Sequence, residues 1–119
     1  MKYWLILLLV TMIVVAAAAE DTETVRVGAY NNPPKIFTTA DGRTAGIFPD
    51  ILAEIAQRKG WKIDYIRGTW EQCLDRLRTG DIDLMVDVAK SSEREERFTF
   101  SRVPVLVNWG TAYVRPDIT

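Results

Sequence analysis

Histidine is absent from this 119-residue chain, and cysteine occurs once, as Cys73. Without histidine the chain lacks the commonest general base and the commonest metal ligand, and one thiolate is too little to build a zinc site. A single cysteine also rules out an intramolecular disulfide. An excess of positive charge is missing too, because 15 Lys and Arg face 16 Asp and Glu. Such a balance does not suggest nucleic-acid binding. There is no internal repeat and no low-complexity segment. Cys73 sits with Trp70, Leu74 and Leu77 at i, i+3, i+4, i+7 spacing, which reads as a buried thiol on an inner helix face rather than a reactive one.

The N-terminus has its own pattern. Lys2 precedes an apolar run from Tyr3 to Ala19, broken only by Thr11 and ending in four alanines before Glu20 and Asp21. That is the outline of a signal peptide, and Ala17 and Ala19 supply the small residues of its cleavage site. A membrane anchor is the competing reading, but 17 residues span only about 25 Å as a helix, short of a hydrocarbon core of about 30 Å. Residues 1–19 are therefore expected to be a signal peptide, and the mature chain from Glu20 carries 14 basic and 16 acidic side chains.

The rest alternates between strand and helix signals. Val25, Val27 and Ala29 read as a first strand, and two consecutive prolines make Tyr30 to Pro34 a loop. Ile36–Thr38 and Thr44–Ile47, joined through Asp41 and Gly42, form a candidate hairpin. Pro49 and Asp50 suit a helix's first turn, Ile51, Leu52, Ile55 and Ala56 make an apolar face, and Gly60 stops the helix. Trp61, Ile63 and Tyr65 alternate as a second strand. Trp70 to Thr79 reads as a second helix ended by Gly80, and Ile82 to Val88 as a third strand buried on both faces. This βαβαβ order, with connections of a few residues, implies an α/β fold with a parallel sheet; right-handed crossovers leave two strand orders open. Further on, Thr111 to Val114 alternates as another strand.

After the third strand the residues turn polar. Ser91 and Ser92 can cap a helical turn, with Glu95 three residues after Ser92 as in a capping box, and the turn carries Arg94. Backbone NH groups, hydroxyls and a guanidinium in that order suit a small carboxylate. The stretch Gly80 to Ser101 (GDIDLMVDVAKSSEREERFTFS) also resembles the signature of type 2 periplasmic solute-binding proteins, the polar amino-acid receptor family, through Gly80, Asp83, Ser91, Glu93, Arg94, Phe100 and Ser101. Val25–Pro34 (VRVGAYNNPP), Gly46–Leu52 (GIFPDIL) and the spacing of Trp70, Leu74, Leu77 and Gly80 are similar to the same family, so the likeness runs from about Val25 to Val114.

The resemblance implies a periplasmic-binding-protein-like lobe with strand order 2-1-3, helices on both faces, and a ligand crevice beyond the C-terminal ends of strands one and three. It implies ligand contacts from Arg94, Ser91, Tyr30 and Trp70, and Ala89 and Asp87 are further candidate ligand-binding residues. Arg94 otherwise reads as part of a solvated charged turn, Ser91 as a cap, and Tyr30 and Trp70 as core. Asp50 is at a family position, but its plain role is at the helix N-terminus. Asp87 stands where the family often has glycine and Ser92 where it often has proline; an acidic group there suits a cationic or zwitterionic ligand, and Lys35 adds a positive charge of unknown direction. In the family, the chain crosses to a second lobe near where this one stops, so 20–114 read as an incomplete first lobe and 115–119 as the start of a hinge.

The function expected is an exported, non-enzymatic solute-binding or sensor module for an amino acid or similar carboxylate, working with a membrane transporter or a sensor kinase and needing no cofactor or metal. The alternative is an enzyme on the same scaffold, acting on cyclic acids or fused to a wall-degrading domain, with Glu93 or Asp87 as acid or base. One expectation is open to direct measurement. Mass spectrometry of the exported protein should find Glu20 at its N-terminus, and an intact Met1 form recovered from membranes would favour the anchor.

Overall fold

The computed structural model describes residues 21–117. Residues 1–19, where a signal peptide is expected, lie outside them. The described residues divide into two units, one ending at Val88 and the other starting at Ala89.

In the first unit, β1 (Thr24–Ala29) leads through a hairpin of β2 (Phe37–Thr38) and β3 (Thr44–Ala45) to helix α1 (Ile47–Lys59). Strand β4 (Lys62–Arg67), helix α2 (Trp70–Thr79) and strand β5 (Leu84–Met85) follow. The main sheet has the order β4-β1-β5, both pairings parallel, which is the expected 2-1-3. Six register pairs join β1 to β4, from Thr24 opposite Lys62 to Ala29 opposite Arg67, but only Val27 with Leu84 and Gly28 with Met85 join β1 to β5. The third strand is thus shorter than the apolar run Ile82 to Val88. Ile82 and Val86 are buried all the same. Its pairing ends before Asp87, whose φ of 55° takes the backbone out of extended geometry.

The two helices cover opposite faces of the sheet. Tyr65 is the register partner of Val27 and shares its face, and Asp50 of α1 is close enough to raise the Tyr65 phenol's pKa, after the larger effect of burial. Gly28, one residue on, faces the other way. There α2 comes so close that a Cβ on Gly28 would sit 2.8 Å from Ile82 Cδ1 and 3.1 Å from Cys73 Sγ. Cys73 is fully buried at that contact, and burial pushes its thiol pKa up.

Helix α1 presents Phe48, Leu52 and Ala56, four residues apart, to the core, and Pro49 is buried beside them. Ile55 is instead exposed and Ile51 only half-buried. The expected face was rotated because it ignored Phe48, the bulkiest residue of the first turn. Gly60 and Gly80 close the two helices in left-handed conformation, as their sequence positions suggest. Helix α2 starts with a capping box, in which Thr69 Oγ1 accepts from Gln72 N and Gln72 Oε1 accepts from Thr69 N. The Thr-x-x-Gln pattern was there to be read.

One clasp seats β5 on β1. The Arg26 guanidinium donates to both oxygens of Asp83, at 3.0 and 2.7 Å, and to the Gly80 carbonyl at 2.8 Å. Backbone bonds complete it, from Arg26 N to Asp83 Oδ2 and from Asp83 N to Arg26 O, each 2.9 Å.

In the second unit, α3 (Ser92–Glu95) is the only regular element among the described residues. Its N-cap is Ser91, whose hydroxyl accepts from Arg94 N, so the capping box expected from Ser92 and Glu95 does not form. Glu95 pairs with Lys90 at 2.8 Å instead. Thr111 to Val114 is not a strand, and Tyr113 is 91% exposed. Alternation records the capacity to line a sheet face; without a paired edge to supply backbone partners, the segment takes no ladder.

The clasp makes stability pH-dependent. Hydrogen bonds from the Arg26 guanidinium and backbone NH hold Asp83 down to a pKa of about 2. A depressed carboxylate stabilises the fold fully above its unfolded value, about 4, and that contribution is lost as pH falls toward 2. In urea unfolding, the deficit of Asp83→Asn relative to the native chain should therefore be largest above pH 4 and shrink toward pH 2; a constant deficit would remove the clasp from the account.

Candidate functional site

Two clusters hold the six candidate residues. The first lies at the C-terminal ends of β1 and β5. The chain leaves β1 at Tyr30 and turns through Asn32 to Ile36, with a cis Pro33–Pro34 bond on the way. Asn32 organises the turn: its carbonyl accepts from Lys35 N and Ile36 N, and its NH donates to Ile36 O at 2.7 Å. The loop is then tied to the start of α1, since Ile47 N donates to Pro34 O and Phe48 N to Lys35 O. Gly46 makes this possible. Its φ is 128°, and a Cβ there would lie 2.5 Å from the Lys35 carbonyl oxygen.

Asp87 links this loop to β5. One carboxylate oxygen accepts from Asn32 Nδ2 at 2.7 Å and the other from Lys35 Nζ at 3.0 Å. Its side chain is 13% exposed, that of Lys35 33%. The φ of Asp87 is positive, and aspartate is among the few residues besides glycine that adopt such a backbone readily. Lys35, whose direction the sequence left open, points to this carboxylate.

Tyr30 is buried, and its hydroxyl donates to the Val86 carbonyl at 3.0 Å. Burial, then the nearby Asp87 charge, raises its phenol well above the ordinary value. The Tyr30 and Trp70 rings meet edge to face, with centroids 5.0 Å apart and planes at 78°. Trp70 is half-buried as the first residue of α2. So the structure gathers Tyr30, Trp70 and Asp87 around the strand ends. Asp50 sits in the first turn of α1, the structural place expected for it.

The second cluster is the turn Ala89 to Phe98. Ser91 caps α3, and the Arg94 guanidinium reaches back to donate to the Ala89 carbonyl at 2.9 Å. Phe98 N donates to Arg94 O at 2.8 Å and holds the turn's other end. Ala89, Ser91 and Arg94 thus form one local constellation of a capped turn, a hydroxyl and an oriented guanidinium. Glu93 pairs with Arg97 at 3.6 Å. Trp109 is exposed.

A parallel sheet with loops at its C-terminal ends, followed by a Ser-capped arginine turn, agrees with the family comparison. The model of the bacterial extracellular solute-binding proteins, family 3, matches residues 25–117. The chain belongs to this family. No curated protein matches it in sequence. Among solved structures, an ancestral cationic amino acid solute-binding protein is 27% identical, with a TM-score of 0.57 over 61% of this chain and 33% of that one. A probable amino-acid ABC transporter extracellular-binding protein from Bacillus subtilis is 24% identical, with a TM-score of 0.64 over 70% of this chain and 37% of its own. A histidine kinase sensor domain with similarity to periplasmic binding proteins is 23% identical, with a TM-score of 0.58 over 65% and 33%. The last two show likeness of fold. This family-3 chain spans about a third of the length of these relatives.

The Asp87 link yields a graded prediction. Asp87→Ala removes both acceptors and leaves Asn32 and Lys35 donors without them, for a loss of about 1–3 kcal/mol. Asp87→Asn keeps one acceptor and should lie between that variant and the native chain in urea-unfolding midpoint. Equal midpoints for all three would show that the link carries no stability.

Proposed function

We propose that this chain is a ligand-recognising part of an exported solute-binding or sensor protein, that its ligand is a small carboxylate such as an amino acid, and that it acts without catalysing a reaction. Arg94, Ser91 and Ala89 are the carboxylate grip: a guanidinium offers paired charge-assisted donors, the Ser91 hydroxyl adds a donor, and Ala89 contributes backbone. The strand-end cluster is a separate candidate contact: half-buried Trp70 offers aromatic surface, and the buried Tyr30 ring backs it. Asp87 sets the charge near them.

The observation that carries this reading is the Arg94 turn. Within a region matched throughout by the family, Arg94 is oriented by its bond to the Ala89 carbonyl on a turn capped by Ser91. Such preorganisation lowers the ordering cost of binding a carboxylate. The likeness to a cationic amino-acid-binding protein supports an amino acid as the ligand class. Export is supported by the family's extracellular character and by the leader-like N-terminus. A membrane transporter or a sensor kinase is the proposed downstream partner.

Titration of the purified chain with an amino-acid panel, followed by NMR so that millimolar affinities register, tests this function. Arg94→Ala should weaken binding of any hit about tenfold to a hundredfold, the worth of a charge-assisted hydrogen bond, while leaving the far-ultraviolet spectrum unchanged. Undiminished affinity would remove Arg94 from the site, and no binding by the native chain would overturn the proposed function.

A further inference from the structure

Asp87 brings a carboxylate to the strand ends, and an unaccompanied carboxylate there would favour ligands with a second positive charge. It is accompanied, and by two unlike partners. Asn32 is fixed by three backbone hydrogen bonds of its own, so the amide on Oδ2 belongs to the loop's framework. The ammonium on Oδ1 ends a flexible four-carbon stem and is the more exposed of the two charges in the pair, at 33% against 13%. One oxygen is thus held by framework, and the other by a group that a ligand cation is able to replace.

We propose that Lys35 is a specificity-determining residue that masks Asp87, and that the strand-end cluster's preference between cationic and neutral amino acids is set by this intramolecular ion pair. A ligand ammonium or guanidinium competes with Lys35 for Oδ1 before it gains from Asp87, whereas a neutral polar side chain meets a site already neutralised. The pair is partly buried, so bulk salt screens it less than a surface pair. This inference rests on the function proposed above and names what the strand-end cluster discriminates.

Arginine and glutamine are suitable probes, being of similar reach and differing in terminal charge. Their dissociation constants are measured for the native chain, Lys35→Met and Lys35→Arg, with Lys35→Gln as a polar substitute if the methionine variant does not fold. Removal of the lysine should raise the ratio of arginine to glutamine affinity about tenfold or more, as one charge-assisted contact becomes available to the ligand. Lys35→Arg keeps the mask and should leave the ratio near native. Adding Asp87→Asn to Lys35→Met should return it to near native, a coupling that mere loosening of the loop would not produce. A ratio unchanged in both Lys35→Met and Lys35→Gln, or a rise that persists with Asp87→Asn, overturns the proposal while leaving carboxylate recognition standing. Failure of the native chain to bind either probe, with other amino acids still bound, overturns this inference alone; failure to bind any amino acid overturns both.

Discussion

The first unit depends on β1 having both edges and both faces occupied. A parallel strand cannot borrow stability from a tight hairpin, so each neighbour has to be brought back by a helix and then fastened. On the β4 side six register pairs do the fastening. On the β5 side there are two, and the Arg26–Asp83 clasp supplies the remaining hold one rung away. Asp83, part of the sequence signature, thus holds the fold together. It seats the short strand whose far end leads to Asp87.

Two close approaches at glycine give this arrangement its precision. Gly28 lets α2 press Cys73 against the sheet, and Gly46 lets the start of α1 press against the Lys35 carbonyl. Tyr30, the residue after β1, meets Trp70, the first residue of α2, without a long connecting loop. A site on such short connections starts from a low entropy of ordering.

How much of this was legible in the sequence varied with the range of the interaction. Helix α2 was readable to the residue because its determinants are local: apolar spacing on one face and a glycine at the end. The strand order needed the family resemblance, since periodicity does not say which strands are neighbours. The clasp was not legible, because Arg26 and Asp83 are 57 positions apart and each resembles an ordinary surface charge. The same holds for Lys35 and Asp87, 52 apart, whose charges were visible while their pairing was not. Thr111 to Val114 shows the converse: a strand's alternation is local, but its hydrogen-bond partners are not. Of the candidate site, residue types and their order along the chain were legible, and the way the loop binds Asp87 was not.

The left-handed backbone at position 87 narrows what evolution can write there. Glycine, asparagine and aspartate are at ease at a φ near 55°, whereas lysine and arginine gain nothing that offsets the steric cost. The practical alphabet at that point is neutral or negative. A lineage needing a positive charge beside these strand ends has to place it on another segment and lean it in, as Lys35 does. The charge at the strand ends can therefore be retuned by substitutions in the Tyr30–Ile36 loop alone, with the strand that carries Asp87 left untouched.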